Sequence, residues 1–78
     1  MNNTLLIIHN DITTLNDIYQ GIQNDLKLSF KTIYRAYNSI DGYNSALLHK
    51  PNIIIIASNL KEKSCFELVI DIRENLVN

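Results

Sequence analysis

His9, Asn10 and Asp11 directly follow the apolar run Leu5-Leu6-Ile7-Ile8. A histidine beside a carboxylate at the end of a buried strand has the makings of a cation site or a proton-transfer pair. The second apolar run, Ile53-Ile54-Ile55-Ile56, ends in Ala57, Ser58 and Asn59. Alanine supplies no attacking atom at such a position, and strand alternation turns the Ser58 hydroxyl to the opposite face. Elsewhere the chemistry thins out. Pairing His9 with His49 or Asp11 makes a weak metal site, because His49 should lie near the far end of the second helix. Cys65 sits where a helix amino terminus could sharpen a thiol, although a lone cysteine is more often a small apolar side chain. Tyr19, Tyr34, Tyr37 and Tyr43 lack the interleaved basic residues of a base-stacking platform. Gly21 and Gly42 are isolated, and neither GxGxxG nor GxxxxGK[ST] occurs, so no loop is built to cradle a phosphate.

These groups need elements to hold them. Residues 4–8 form a continuous apolar run, the pattern of a strand buried on both faces. From Asp11 or Thr13 onward, Ile12, Leu15, Ile18, Tyr19, Ile22 and Leu26 recur at intervals of three and four, which predicts an amphipathic helix. Residues 30–36 mix β-branched and aromatic side chains with charge, as a more exposed strand does. Asn38-Ser39 offers a helix cap. Ile40, Tyr43, Ala46 and Leu47 make a short stripe that must end before Pro51, because proline disfavours helix in the residue preceding it. Residues 52–57 predict a third strand, buried like the first. Residues 58–64 predict a polar loop in which Lys61-Glu62-Lys63 is solvated, and Phe66, Leu68, Val69, Ile72 and Leu76 mark a third helix. The order βαβαβα with short connections implies a parallel sheet joined by right-handed crossovers.

Composition narrows the class. Seventy-eight residues allow one small domain, residues 1–78, with a thin stability margin. Apolar content of 46% is enough for a packed core, and 7 basic against 8 acidic residues, net −1, leave no basic stripe for nucleic acid. One cysteine excludes an internal disulfide framework and fits a reducing cytoplasm. The first residues carry no basic, apolar leader, and no run is long enough to span a membrane.

The landmarks Leu5 to Ile8 with three polar residues after them, the segment 36–51, and Pro51-Asn52-Ile53-Ile54-Ile55-Ile56-Ala57 leading to Phe66-Glu67-Leu68-Val69-Ile70-Asp71-Ile72-Arg73 together resemble the receiver domain of two-component response regulators. The resemblance covers essentially the whole chain, more in spacing than in identity. It implies a three-layer α/β fold with strand order 2-1-3, incomplete beside the five strands and five helices of a full receiver. It also implies that the family's magnesium-binding acids fall at His9, Asn10 and Asp11, and its phosphoacceptor at Ala57. Only Asp11 keeps a carboxylate, and a histidine with an amide is a poor donor set for a hard, octahedral cation. The family's loop proline and glycine are missing from residues 60–64, and its residues on strands four and five have no counterpart here.

The expectation is therefore a phosphorylation-independent, receiver-like regulatory module with no catalytic residue, metal or cofactor. It would serve a protein partner or a second copy of itself, with an output domain for transcription control beyond residue 78 as one arrangement. A small-ligand sensor using the vacated pocket of His9, Asn10, Asp11, Ala57 and Asn59 is the alternative. In the order 2-1-3 the uncharged strand Ile53, Ile54, Ile55 and Ile56 becomes an edge, which predicts a homodimer, with or without domain exchange, across it.

Overall fold

The computed structural model describes residues 3–25, 30–60 and 63–76. Its elements run β1 (Thr4–Ile8), α1 (Ile12–Asn24), β2 (Thr32–Ala36), α2 (Ser39–His49), β3 (Ile53–Ile56) and α3 (Cys65–Leu76). The three strands are parallel in the order β2-β1-β3, with Leu6 opposite both Tyr34 and Ile54. This is the open α/β sheet expected from the βαβαβα pattern.

β1 is buried on both faces because it is central and helices lie on either side. Its even residues, Leu6 and Ile8, join Ala36, Ala46, Leu60, Leu68 and Ile72 in a core beneath α2 and α3. Its odd residues, Leu5 and Ile7, meet Leu15 of α1, with Ile18, Tyr19, Ile22, Phe30 and Ile33 around them. The period-two alternation of a strand thus divides one apolar run between two cores.

Local chemistry sets the helix ends. Asp11 caps α1, and the Asn38 side chain accepts from the Asp41 amide at 2.7 Å to cap α2. Lys50 closes α2 in the left-handed region, φ 47°, just ahead of Pro51. Ser64 Oγ accepts from the Glu67 amide at 3.2 Å and donates to its carboxylate, so one hydroxyl serves both groups at the start of α3.

Several expectations need correction. β3 is not buried on both faces: Ile54 and Ile56 are half-buried under the α2/α3 side, while Ile53 and Ile55 are exposed on the other. α1 covers β1 and β2 on that side and leaves β3 bare. Ile12, Ile40 and Phe66 belong to the apolar stripes of the sequence yet are exposed by 58%, 63% and 79%. Ile12 lies one turn ahead of Leu15, where the chain has just left β1, whereas Ile40 and Phe66 are turned off the buried faces set by Ser39, Gly42 and Ala46 on α2 and by Leu68 and Ile72 on α3. Val69 is also exposed, and Ser39 and Gly42 are buried on α2 instead of Ile40. Lys63 is not simply solvated, since it pairs with Asp71 of α3, and that carboxylate raises its pKa. The places given to Leu26, Lys61 and Glu62, and to the side chain of Leu76, lie outside the described residues.

Candidate functional site

Parallel strands bring their carboxyl ends to one edge of the sheet, where open α/β folds bind ligands. Here the ends of β1 and β3 meet directly. The Ala57 amide donates to the Ile8 carbonyl at 2.9 Å, and Asn10 Nδ2 donates to the Asn59 carbonyl at 3.4 Å. Asn10 and Asn59 are thus in direct contact, with His9 and Asp11 on either side of Asn10 in the chain and Ala57 at the end of β3. Ser58 is exposed in the turn that follows β3.

The polar groups of this site are mostly engaged with their own backbone. The His9 amide donates to the Ala36 carbonyl at 3.0 Å, which ties the β1 end to β2 as well. His9 Nδ1 accepts from the Asp11 amide at 3.0 Å, so a neutral ring carries its proton on Nε2. Asp11 Oδ2 accepts from both the Thr14 amide and the Thr14 hydroxyl. The one carboxylate of the site thus serves as the amino-terminal cap of α1. That use was not legible in the residue types, because a cation site and a helix cap ask for the same oxygen.

The Thr14 hydroxyl holds the Asp11 carboxyl below its ordinary 3.8, helped by the amides of Thr14 and Thr13. A lowered carboxyl pKa makes the cap's contribution fully present above the unfolded-state value and lost as pH falls through the folded-state value. Thr14→Ala is therefore expected to lower the thermal midpoint at neutral pH, and the gap from the parent is expected to close below pH 3.8. Melts across a pH series check this. A gap that stays constant into acid would show that Thr14 acts through packing rather than through the carboxylate.

One group has been left without a partner. Asn10 Oδ1 is buried and accepts no hydrogen bond among the described residues. Its amide cannot simply turn over, since Nδ2 is needed for the Asn59 carbonyl. Ala57 is half-buried and packs on the α2/α3 core, so its methyl group fills space at the strand end.

The remaining candidates lie elsewhere. His49 stacks on Tyr34 with centroids 3.9 Å apart, at the opposite end of α2 from the site. Arg35 lies 4.3 Å over the Tyr19 ring, and Tyr43, itself on α2, packs on the core, which gives these tyrosines packing roles. No group of three or more His, Cys, Asp or Glu side chains able to hold a metal ion occurs among the described residues. Cys65 is half-buried as the first residue of α3. No helix among the described residues is long and apolar enough to cross a membrane.

No family model matches the chain, and no curated protein matches it. Among solved structures it is similar to the N-terminal domain of an uncharacterized protein from Wolinella succinogenes, with a TM-score of 0.78 and 19% identity over 92% of this chain. The chain spans 55% of that structure's length. At this identity the likeness speaks for the fold, a compact α/β domain.

Proposed function

We propose that this chain is a regulatory module of receiver type that works without phosphorylation and acts through protein contacts. The observation that carries the reading is Ala57. Its amide is bonded to the Ile8 carbonyl just past the end of β3, the position to which the resemblance assigns a receiver's attacking carboxylate, and a methyl group forms no acyl phosphate. Asp11 supports it by spending its carboxylate on the cap of α1. Exposed Ile12, Ile40 and Phe66, each in the first turn of a helix that leaves the carboxyl end of the sheet, add apolar surface at the end that carries the site. The lone cysteine fits a cytoplasmic setting for such a module.

The test is incubation with acetyl phosphate, or with beryllofluoride, in the presence of Mg²⁺. The expected result is an unchanged intact mass and unchanged amide chemical shifts at residues 9–11 and 57–59. Uptake of a phosphoryl group on this chain would sink the reading.

Asn10 Oδ1 favours a second reading, a sensor for a small ligand. A buried acceptor left unpaired costs about 1–3 kcal/mol, which a donor on a bound molecule would recover. A thermal-shift screen separates the two readings, because any molecule that binds the native state raises its melting temperature. A hit whose effect disappears in Asn10→Leu would favour the sensor.

A further inference from the structure

The α1 face of β2 carries a cavity that the strand-end site does not use. It is half-open, measures about 470 Å³ and lies between the last turns of α1 and the start of β2. That volume falls within the roughly 300–1,000 Å³ of small-molecule sites. Its described walls lie within residues 19–33, one helix and the strand after it, so they stand whatever follows residue 78.

The walls divide by chemistry. Ile22 and Ile33 are continuous with the core around Leu15, and the rings of Tyr19 and Phe30 stand half-buried beside them. Gln23, Lys31 and Thr32 supply the polar groups. The Tyr19 ring is set in place before any ligand arrives: the Arg35 guanidinium lies 4.3 Å over it, and Gln23 Nε2 donates to its hydroxyl at 3.2 Å. That bond uses the phenol oxygen as an acceptor and leaves its proton to donate.

Charge selects the sign of the ligand. Strand alternation puts Lys31, Ile33 and Arg35 on the face toward α1, in keeping with the packing of Ile33 around Leu15 and of Arg35 on Tyr19. The described lining residues include no acid, and Lys31 has no ion-pair partner among the described residues. An anion is therefore favoured. Low charge is favoured too, because the last turns of α1 present the negative end of the helix dipole, and no helix amino terminus among the described walls offers amides to a phosphate. A carboxylate asks for less, and the Lys31 ammonium and the Tyr19 hydroxyl supply it.

We infer that this cavity binds a small aromatic carboxylate, its ring against Tyr19 and Phe30 and its carboxylate at Lys31. The inference goes beyond the reading of the chain as a protein-contact module, since it gives that module a ligand input at the amino end of β2, away from Asn10. Occupancy has a mechanical consequence. Leu15 is the fully buried residue of α1 and lies one turn before Tyr19, so a ligand held by Tyr19 and Phe30 fastens the far half of the helix to the sheet.

Titration of the isotope-labelled full-length protein with sodium benzoate is expected to give saturable amide shifts centred on residues 19–23 and 30–33. Amide exchange along the end of α1 is expected to slow, and the melting temperature to rise. Benzamide keeps the ring without the charge, and inorganic phosphate keeps the charge without the ring. Each is expected to bind at least about fivefold more weakly than benzoate. Lys31→Gln is expected to weaken benzoate by about fivefold and Lys31→Arg to restore it, both with an unchanged circular dichroism spectrum, since Lys31 is exposed. Shifts that fail to saturate, or that centre on residues 9–11 and 57–59, would overturn the inference. So would benzamide that binds as well as benzoate, or a Lys31→Gln variant that binds benzoate as the parent does. The phosphodonor experiment reads the other end of the sheet, so either idea can fall without the other.

Discussion

Gly42→Val is expected to abolish cooperative folding, and Gly42→Ala to destabilise the protein by about 1–3 kcal/mol, the usual cost of overpacking a filled core. Gly42 is buried on α2, directly over the centre of the sheet. A methyl group there would come within 2.6 Å of Ile8 Cδ1 and 2.9 Å of both Cγ1 and Cγ2. A rotamer change moves the far end of an isoleucine but cannot withdraw both γ carbons from the same side. Nor can the side chain retreat, since Ile8 is 0% exposed on the central strand with partners on both sides. The backbone of α2 would have to lift. A domain of this size holds roughly 4–12 kcal/mol in all, so a bulkier valine consumes much of the margin. Gly21 provides the internal control. Nothing lies within 4 Å of a Cβ added there, and the residue is exposed on α1. Gly21→Ala is expected to stabilise by about 0.5–1 kcal/mol through helix propensity alone. Urea titrations with a constant slope read both effects. If the two alanine variants moved the midpoint in the same direction, α2 would not approach β1 as closely as described.

Gly42 also shows what the sequence could not say. Its spacing from Ala46 places it on the buried face of α2, yet as an isolated glycine it reads equally well as a weak point in a helix. Ile40 carried the stronger apolar signal and is exposed. Periodicity marks a face of the helix, but it does not mark where along the helix the sheet begins. Ile12 fails for that reason, one turn ahead of Leu15, whereas Ile40 and Phe66 lie off the buried faces of their helices, which run through Ser39, Gly42 and Ala46 and through Leu68 and Ile72. The elements themselves were legible. Thr4–Ile8 forms β1 over the same residues as its apolar run, and Asn38 and Pro51 bracket α2 as cap and stop. β3 was legible as a strand but not as a half-bare one, because four isoleucines look alike whether a neighbour lies on one side or two. At the site, the meeting of residues 9–11 with 57–59 follows from parallel topology, which fixes where strand ends converge. The turn of the Asp11 carboxylate onto Thr14 and the lack of a partner for Asn10 Oδ1 depend on side-chain torsions that residue types do not specify.

The same unevenness of burial makes Leu15 the most exacting position on α1. α2 and α3 share a core with several fully buried side chains, whereas α1 contributes Leu15 alone, 0% exposed against Leu5 and Ile7. Ile18, Tyr19 and Ile22 are only half-buried around it. Leu15→Ala removes the side chain that closes this face and leaves a cavity above the central strand, for which about 2–5 kcal/mol is the expected loss. The Asp11 cap cannot make up the difference, since its exposed carboxylate only starts the helix and does not attach it to the sheet. Amides of α1 are therefore expected to lose their exchange protection first, with those of β1 and α2 following only as global unfolding does. Ile12→Ala makes a comparable apolar deletion one turn earlier on the same helix. With Ile12 58% exposed, it is expected to cost less than about 0.5 kcal/mol. Should Ile12→Ala prove the more damaging of the two, the helix would be docked through its first turn, and the division of β1 between two cores would have to be redrawn.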